Sequence, residues 1–301
     1  MRQTKKRKIR EGNPAVTVLL YVLAGLAAFV TLYPMYYVLI LSLSEPEFAA
    51  TMKVYVLPKG FNLDAYTALV RDTKMWRAYA NTFLYVIPNT ILMVLTSTVV
   101  AYGLNYKKLI GRKWLTMYLL IPMYFSGGFI TSFLLILKLG LYDNPLSQII
   151  PSCFSIWNII LVRSYFRTIP DSLSEAAKID GAGVMQVLAN VFIPLGKPIF
   201  AVIAVYTIVG TWNSWFRASI YLPHTEWQPL QLYLRRILVE ASASATDNLD
   251  LDVLEQLLKK QMSGVQLKYA MIIFTSLPVL CTYPFFQKYF VKGMVMGSLK
   301  E

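Results

Sequence analysis

Acidic residues are scarce in this chain, charge of either sign is low, and histidine is almost absent. Asp and Glu number 16 among 301 residues, the four charged types together make 15%, and His224 stands alone. Soluble domains carry about 25% charged residues and roughly 45–50% apolar ones, whereas the apolar share here is 56%. A single histidine excludes a histidine-rich metal centre, and no other metal-ligand cluster is visible. Beside Pro223, His224 reads as a surface residue of an outer loop. Cys153 and Cys281 both fall in apolar runs and read as packing residues rather than a disulfide. The only Gly-Lys pair, Gly196-Lys197, is followed by Pro198, so no Walker A loop offers its amides to a nucleotide phosphate. By itself this chain does not hydrolyse ATP by the P-loop route.

What the chain does have is apolar runs without acids, at residues 15–43, 81–102, 114–137, 149–165, 193–216 and 269–290. Each approaches the ~20 residues that a helix needs to cross the hydrocarbon core. The expected fold class is therefore all-α, a polytopic membrane protein of six transmembrane helices. The first run is too long for a signal-peptide core and lacks a small-x-small cleavage site.

The formal charge of +13 follows the membrane rather than a nucleic acid, because there is no separate basic domain and no nucleic-acid motif. Lys and Arg gather in residues 1–14, 105–113, 163–197 and 287–301, which hold 17 of the 29 bases but only five of the 16 acids. Under the positive-inside rule these segments are cytoplasmic, with both termini inside. The layout is a basic N-terminus (1–14), a transmembrane domain (15–292) with an outer loop at 217–267, and a cytoplasmic tail (293–301). Spans without carboxylates argue against an ion-coupled carrier, which commonly binds its ion through such groups. A membrane-embedded transferase would show clustered acids, His or Cys near one membrane face, and none is visible.

The most informative stretch is IPDSLSEAAKIDGAGVMQVLANVFIPLGKP, residues 169–198. Ser172-x-x-Glu175 fits a capping box for a short helix. Ala176 and Ala177 leave one face small enough for another protein to approach. Gly181 suits the left-handed position after a helix, and a second helix over 184–192 leads to Pro194 and back into the membrane. On pattern alone, such a helix can also simply lie at the interface.

The full spacing resembles the EAA loop of permease subunits in binding-protein-dependent ATP-binding-cassette importers: Glu175-Ala176-Ala177, three residues, Gly181, nine residues, then Val191-x-Ile193-Pro194. The IDGA stretch, residues 179–182, is similar to the carbohydrate class. TWNSWF (211–216) resembles the Trp-Asn signature that ends the family's fifth span, and YPFFQKYFVKGMVMGSLK (283–300) resembles the C-terminus of the oligosaccharide branch. The resemblance implies a type I importer permease fold in a bacterial inner membrane. It also implies a homologous second permease, a cytoplasmic ATPase dimer that binds the ATP and Mg, and an extracytoplasmic sugar-binding protein. By the same resemblance an EAA loop over 170–194 docks into the ATPase through Glu175, Ala176, Ala177, Asp180, Gly181 and Pro194. Gly293, Gly297 and Lys300 of the tail reach the ATPase interface. Val191 and Ile193 replace the motif's Ile and Leu, and Lys300-Glu301 replaces a common Lys-Gly ending.

Sugars are held by aromatic faces and planar hydrogen-bonding groups. Within the runs the candidates are Asn89, Trp157, Asn158, Trp212, Asn213 and Trp215, with Trp212 and Asn213 foremost. The same asparagines can instead bind neighbouring helices together, and the tryptophans can anchor the membrane interface. In the outer loop, residues 229–241 and 248–261 show helical apolar spacing that suits a cap over the mouth, facing the binding protein.

Overall fold

The structure, a computed structural model, describes residues 14–242 and 251–298. Helices make up its regular structure, and no strand occurs among the described residues. The first apolar run folds as α1 (Pro14–Ser42), which carries no charge on any face. Two short helices follow, α2 (Pro46–Ala50) and α3 (Asp64–Arg71). α4 (Thr73–Asn105) begins well ahead of Asn81, where the second span was expected. Its start is set by Asp72, whose Oδ1 accepts the Lys74 N–H at 2.9 Å and satisfies an otherwise orphaned donor. Its 33 residues reach about 50 Å, longer than a bilayer core.

Three expected spans are bent rather than straight. α5 (Arg112–Tyr124) and α6 (Gly128–Lys138) meet at 110°. Gly128 lies at φ +81° and Phe125 is extended, so residues 125–128 turn the chain inside the run 114–137. α7 (Leu146–Ile149), with a 3₁₀ turn at Ile150–Ser152, meets α8 (Ile156–Phe166) at 42°. Ser155 is extended there, and its hydroxyl accepts the Asn158 N–H to start α8.

The third bend lies further on. α9 (Asp171–Ile179), α10 (Val184–Val187), a π-helical turn at Leu188–Phe192 and α11 (Ile193–Leu195) lead into α12 (Lys197–Trp212), with a 75° bend at Gly196. A Cβ at Gly196 would stand 2.7 Å from the Phe192 carbonyl oxygen, so this bend needs glycine. The π turn directly precedes Pro194, which has no N–H to offer the preceding turn and whose ring crowds a regular α-helical carbonyl.

α13 (Phe216–Tyr221) and α14 (Leu230–Ser242) complete the segment before α15 (Leu251–Ser298). A separate second helix in the outer loop and a distinct last span were expected. Instead α15 runs unbroken through both, so the loop 217–267 ends where α15 begins, at Leu251. Residues 262–270 hold no proline and one glycine, Gly264. An interior glycine costs only ~1 kcal/mol, whereas a break facing lipid strands backbone polar groups. α15 also carries the expected tail residues Gly293 and Gly297 as helix, while Lys300 and the basic segment 1–13 lie outside the described residues.

Among the described residues, three helices are long and apolar enough to cross a membrane alone. Each of the three bent pairs also passes when taken together, for up to six spans. The described residues divide into two compact units, one drawn from residues 14–69 with 241–242 and 251–274, the other from residues 70–240 with 275–298. In the first, Ile40, Leu41, Val54 and Tyr269 form the core, and buried Gln266 donates to the Ser42 carbonyl and to Asn62 Oδ1. In the second, α8 and α12 pack on α4, with Ala101, Val162, Phe166 and Ile203 in the middle.

Candidate functional site

The site that sequence spacing singles out is the α9 loop. α9 has no buried residue: Leu173, Ala176 and Ile179 lie exposed at i, i+3 and i+6, and Ile179 is 86% exposed. Its start is not the expected capping box. The helix begins after Pro170, whose φ of −58° already suits it, and no side chain caps it. Ser172 therefore sits inside the first turn.

The other end is built as expected and more fully. Gly181 lies at φ +84° and donates its N–H to the Lys178 carbonyl at 3.1 Å, while Ala182 N–H reaches the Ala177 carbonyl at 2.9 Å. This is a complete Schellman stop, which satisfies carbonyls that the helix end would leave open. Asp180 is its exposed C-cap. Gly183 N–H then bonds Gln186 Oε1 at 2.7 Å and opens α10.

The two alanines take different roles. Ala176 is exposed, while Ala177 is half-buried against the core around Tyr102, Phe166 and Phe192. Pro194 is exposed in α11, next to the π turn.

Three contacts hold the loop to the end of α4 and the basic segment after it. Tyr102 Oη donates to the Val184 carbonyl at 2.9 Å. Lys178 Nζ lies 5.5 Å from the Tyr106 ring centroid. Lys107 Nζ donates to Asp171 Oδ2 at 2.7 Å, and this bond, with the Asp171 charge, raises the Lys107 pKa above its ordinary value. Between them opens a cleft of about 320 Å³, where Glu175 shares the wall with Lys107, Lys108 and Lys178. Sequence reading missed Tyr102, Tyr106 and Lys107 as parts of this site. They lie more than sixty residues upstream, and no local spacing links them to α9.

The sugar candidates do not come together in one place. Trp212 is 2% exposed, its Nε1–H donates to the Thr275 carbonyl at 3.1 Å, and the rings of Tyr79 and Phe83 pack against it. Trp212, foremost in the sequence reading, is a packing residue here. Asn89 is fully buried and donates to Thr211 Oγ1 at 3.2 Å, joining α4 to α12, with its Oδ1 unpartnered. Asn158 is buried too, and of the two only Asn89 is seen to bind a neighbouring helix. Asn213 and Trp157 are exposed. Trp215 is half-buried, with the Arg235 guanidinium carbon 3.5 Å from its ring centroid. Arg235 and the neighbouring Arg217, which bonds Ser152, were also missed. Only Arg217 carried a signal, a charge next to the aromatic residues Trp212, Trp215 and Phe216.

The segment after α12 is fastened to the N-terminal half of α4. Asn81 Nδ2 donates to the Glu226 and Gln228 carbonyls at 2.7 and 3.1 Å. Tyr85 Oη donates to the Trp227 carbonyl, and Leu230 N–H to Thr82 Oγ1. His224, expected as a plain surface residue, is exposed and paired with Asp143.

Residues 93–296 match the family model described as "Binding-protein-dependent transport system inner membrane component". The Bacillus subtilis protein LplC is 31% identical over 278 residues, covering 92% of both chains. The polygalacturonan/rhamnogalacturonan transport system permease protein YtcP of the same organism is 31% identical over 293 residues, covering 96% of this chain and 99% of its own. A solved structure of a bacterial ABC transporter involved in the import of the acidic polysaccharide alginate superposes with a TM-score of 0.81 at 32% identity. The match covers 95% of this chain and 100% of that one.

Proposed function

Because the chain belongs to the family of binding-protein-dependent transport system inner membrane components, we propose that it moves a carbohydrate through the membrane and takes its energy from a foreign motor docked on α9. It is a multi-pass permease subunit of an ATP-binding-cassette sugar importer. The observation that carries the motor reading is α9 itself: bare on its apolar face, stopped hard at Gly181, and tied to the end of α4 and the segment after it by Lys178 on Tyr106 and Asp171 on Lys107. A helix so fixed moves as a rigid piece when pushed. ATP and Mg belong to a cytoplasmic ATPase dimer, and this chain supplies no catalysis. Glu175, Ala176, Asp180, Gly181 and exposed Pro194 form the docking face, with Ala177 packed on the core behind it. Gly293, Gly297 and Lys300 are the tail contacts.

In this reading the protein has six spans with both termini in the cytoplasm, supported by the clustering of bases in segments 1–14, 105–113, 163–197 and 287–301. A homologous permease completes the path, and an extracytoplasmic binding protein delivers the substrate to the side of α13 and α14. The cargo is an oligosaccharide. Exposed Asn213 and the pair Trp215–Arg235 are its contacts on this subunit, because a guanidinium laid on an aromatic ring presents N–H groups suited to a carboxylate-bearing sugar.

The test is uptake by the assembled transporter in vesicles. ATP turnover should co-purify with this chain and rise with loaded binding protein. Arg235→Gln should lower uptake of an acidic oligosaccharide about ten-fold, the cost of one charged hydrogen bond, and leave a neutral one unchanged. No associated ATPase, or an equal loss for both sugars, rejects the corresponding half of the reading.

A further inference from the structure

Apart from the α9 loop, the described residues hold one dense group of bases without an acid. It lines a cleft of about 580 Å³ between α5 and α8. Arg112 and Lys113 stand on the first turn of α5, while Arg163 and Arg167 are one turn apart at the end of α8. Arg163 Nη1 donates to Thr116 Oγ1 at 3.1 Å, and that hydroxyl donates on to the Arg112 carbonyl at 2.8 Å. This relay ties the two helices together and fixes the guanidinium in place. Arg163 Nε, however, is buried with no hydrogen-bond partner.

The start of α5 makes the same demand. Its N-cap, Gly111, offers no side-chain acceptor, and its first turn holds two bases and no acid. Bases at a helix N-terminus oppose the macrodipole, and the open amides there favour an anion. An uncapped N-terminus and four cations lining one cleft lack the same thing, a negatively charged group. The cleft is not polar throughout, because Met117 and Leu120 form an apolar wall along α5. α5 buries none of its residues, and its Trp114 and Tyr118 are 78% and 72% exposed, as suits a helix at the lipid boundary.

We propose that this cleft binds an anionic phospholipid, with the headgroup phosphate between Arg112 and Arg163 and an acyl chain along Met117 and Leu120. A free phosphate would satisfy the bases but leave the apolar wall unused, which is why the lipid is preferred. Basic pockets between spans on the inner side of a membrane take such headgroups. The site does not touch α9 and does not depend on which sugar is carried.

The experiment is native mass spectrometry of the intact transporter, taken from nanodiscs of equal phosphatidylglycerol and phosphatidylcholine. The wild type should retain phosphatidylglycerol in preference. Each cation neutralised should lower that retention about five-fold, at ~1 kcal/mol per base near the surface. Arg112→Gln with Arg163→Gln tests the centre. Exposed Arg167→Gln tests the rim, in a variant whose packing is untouched. Equal retention of both lipids, or retention unmoved in Arg167→Gln, overturns the proposal. So does displacement of the lipid by millimolar inorganic phosphate, which would make the site one for a free anion. A cross-link from Lys113 to a partner-subunit carboxylate would assign the cleft to a protein interface instead.

Discussion

Two segments are fastened to α4, and they differ in what they leave exposed. The α9 loop packs Ala177 and Phe192 on the core and leaves the Leu173, Ala176 and Ile179 face of α9 bare, while Tyr102 on the Val184 carbonyl, Lys107 on Asp171 and Lys178 on Tyr106 tie it to the end of α4 and the segment after it. The segment around α13 and the start of α14 buries its own side chains, Leu222 and Leu230 to 0% exposure. It also takes hydrogen bonds from Asn81 and Tyr85 onto its carbonyls. Burying apolar side chains at roughly 25 cal/mol per Å² makes a segment part of the core. A segment tied down along one side stays rigid while its opposite face remains free for a partner. The first design suits a handle and the second a plug. Both hang on one helix, so motion applied at α9 has a direct route into α4.

The comparison breaks most readily at Gly181. Proline there would force φ from +84° to about −65° and delete the N–H that bonds Lys178. Proline where it cannot adopt the native φ destabilises by more than about 1 kcal/mol. Gly181→Pro should cut uptake about ten-fold or more while the complex is recovered from membranes in normal amount. Normal uptake would remove α9 from the coupling path.

Asn81→Ala should do the reverse. It frees two carbonyls in a buried place, at about 1–3 kcal/mol. The thermal midpoint of the complex should fall while uptake per folded transporter holds. Loss of uptake at unchanged stability would erase the difference between plug and handle. The smallest effect belongs to Lys107→Gln. The pair with Asp171 is well exposed on both sides, and such pairs contribute little. The midpoint should not move, and uptake should change less than about two-fold. A loss as large as that of Gly181→Pro would make this pair a strut.

Composition and spacing were enough for the membrane setting, the helical class, the family and the position of the α9 loop. Each of these depends on local order along the chain: apolar length, the sidedness of bases, and one gapped motif ending in glycine. The Schellman stop was legible because Gly181 alone meets its backbone need. The bends at residues 125–128 and at Gly196 were not, because hydropathy averages over a break that costs no apolar residues. Nor were the buried state of Trp212, the Arg235–Trp215 contact or the hold of Tyr102 on Val184. These join residues from 20 to 82 positions apart, and only packing of whole helices decides which distant side chains meet. Sequence periodicity reports which face of a helix is apolar. Whether that face meets lipid, a neighbouring helix or a partner is set by the tertiary arrangement around it.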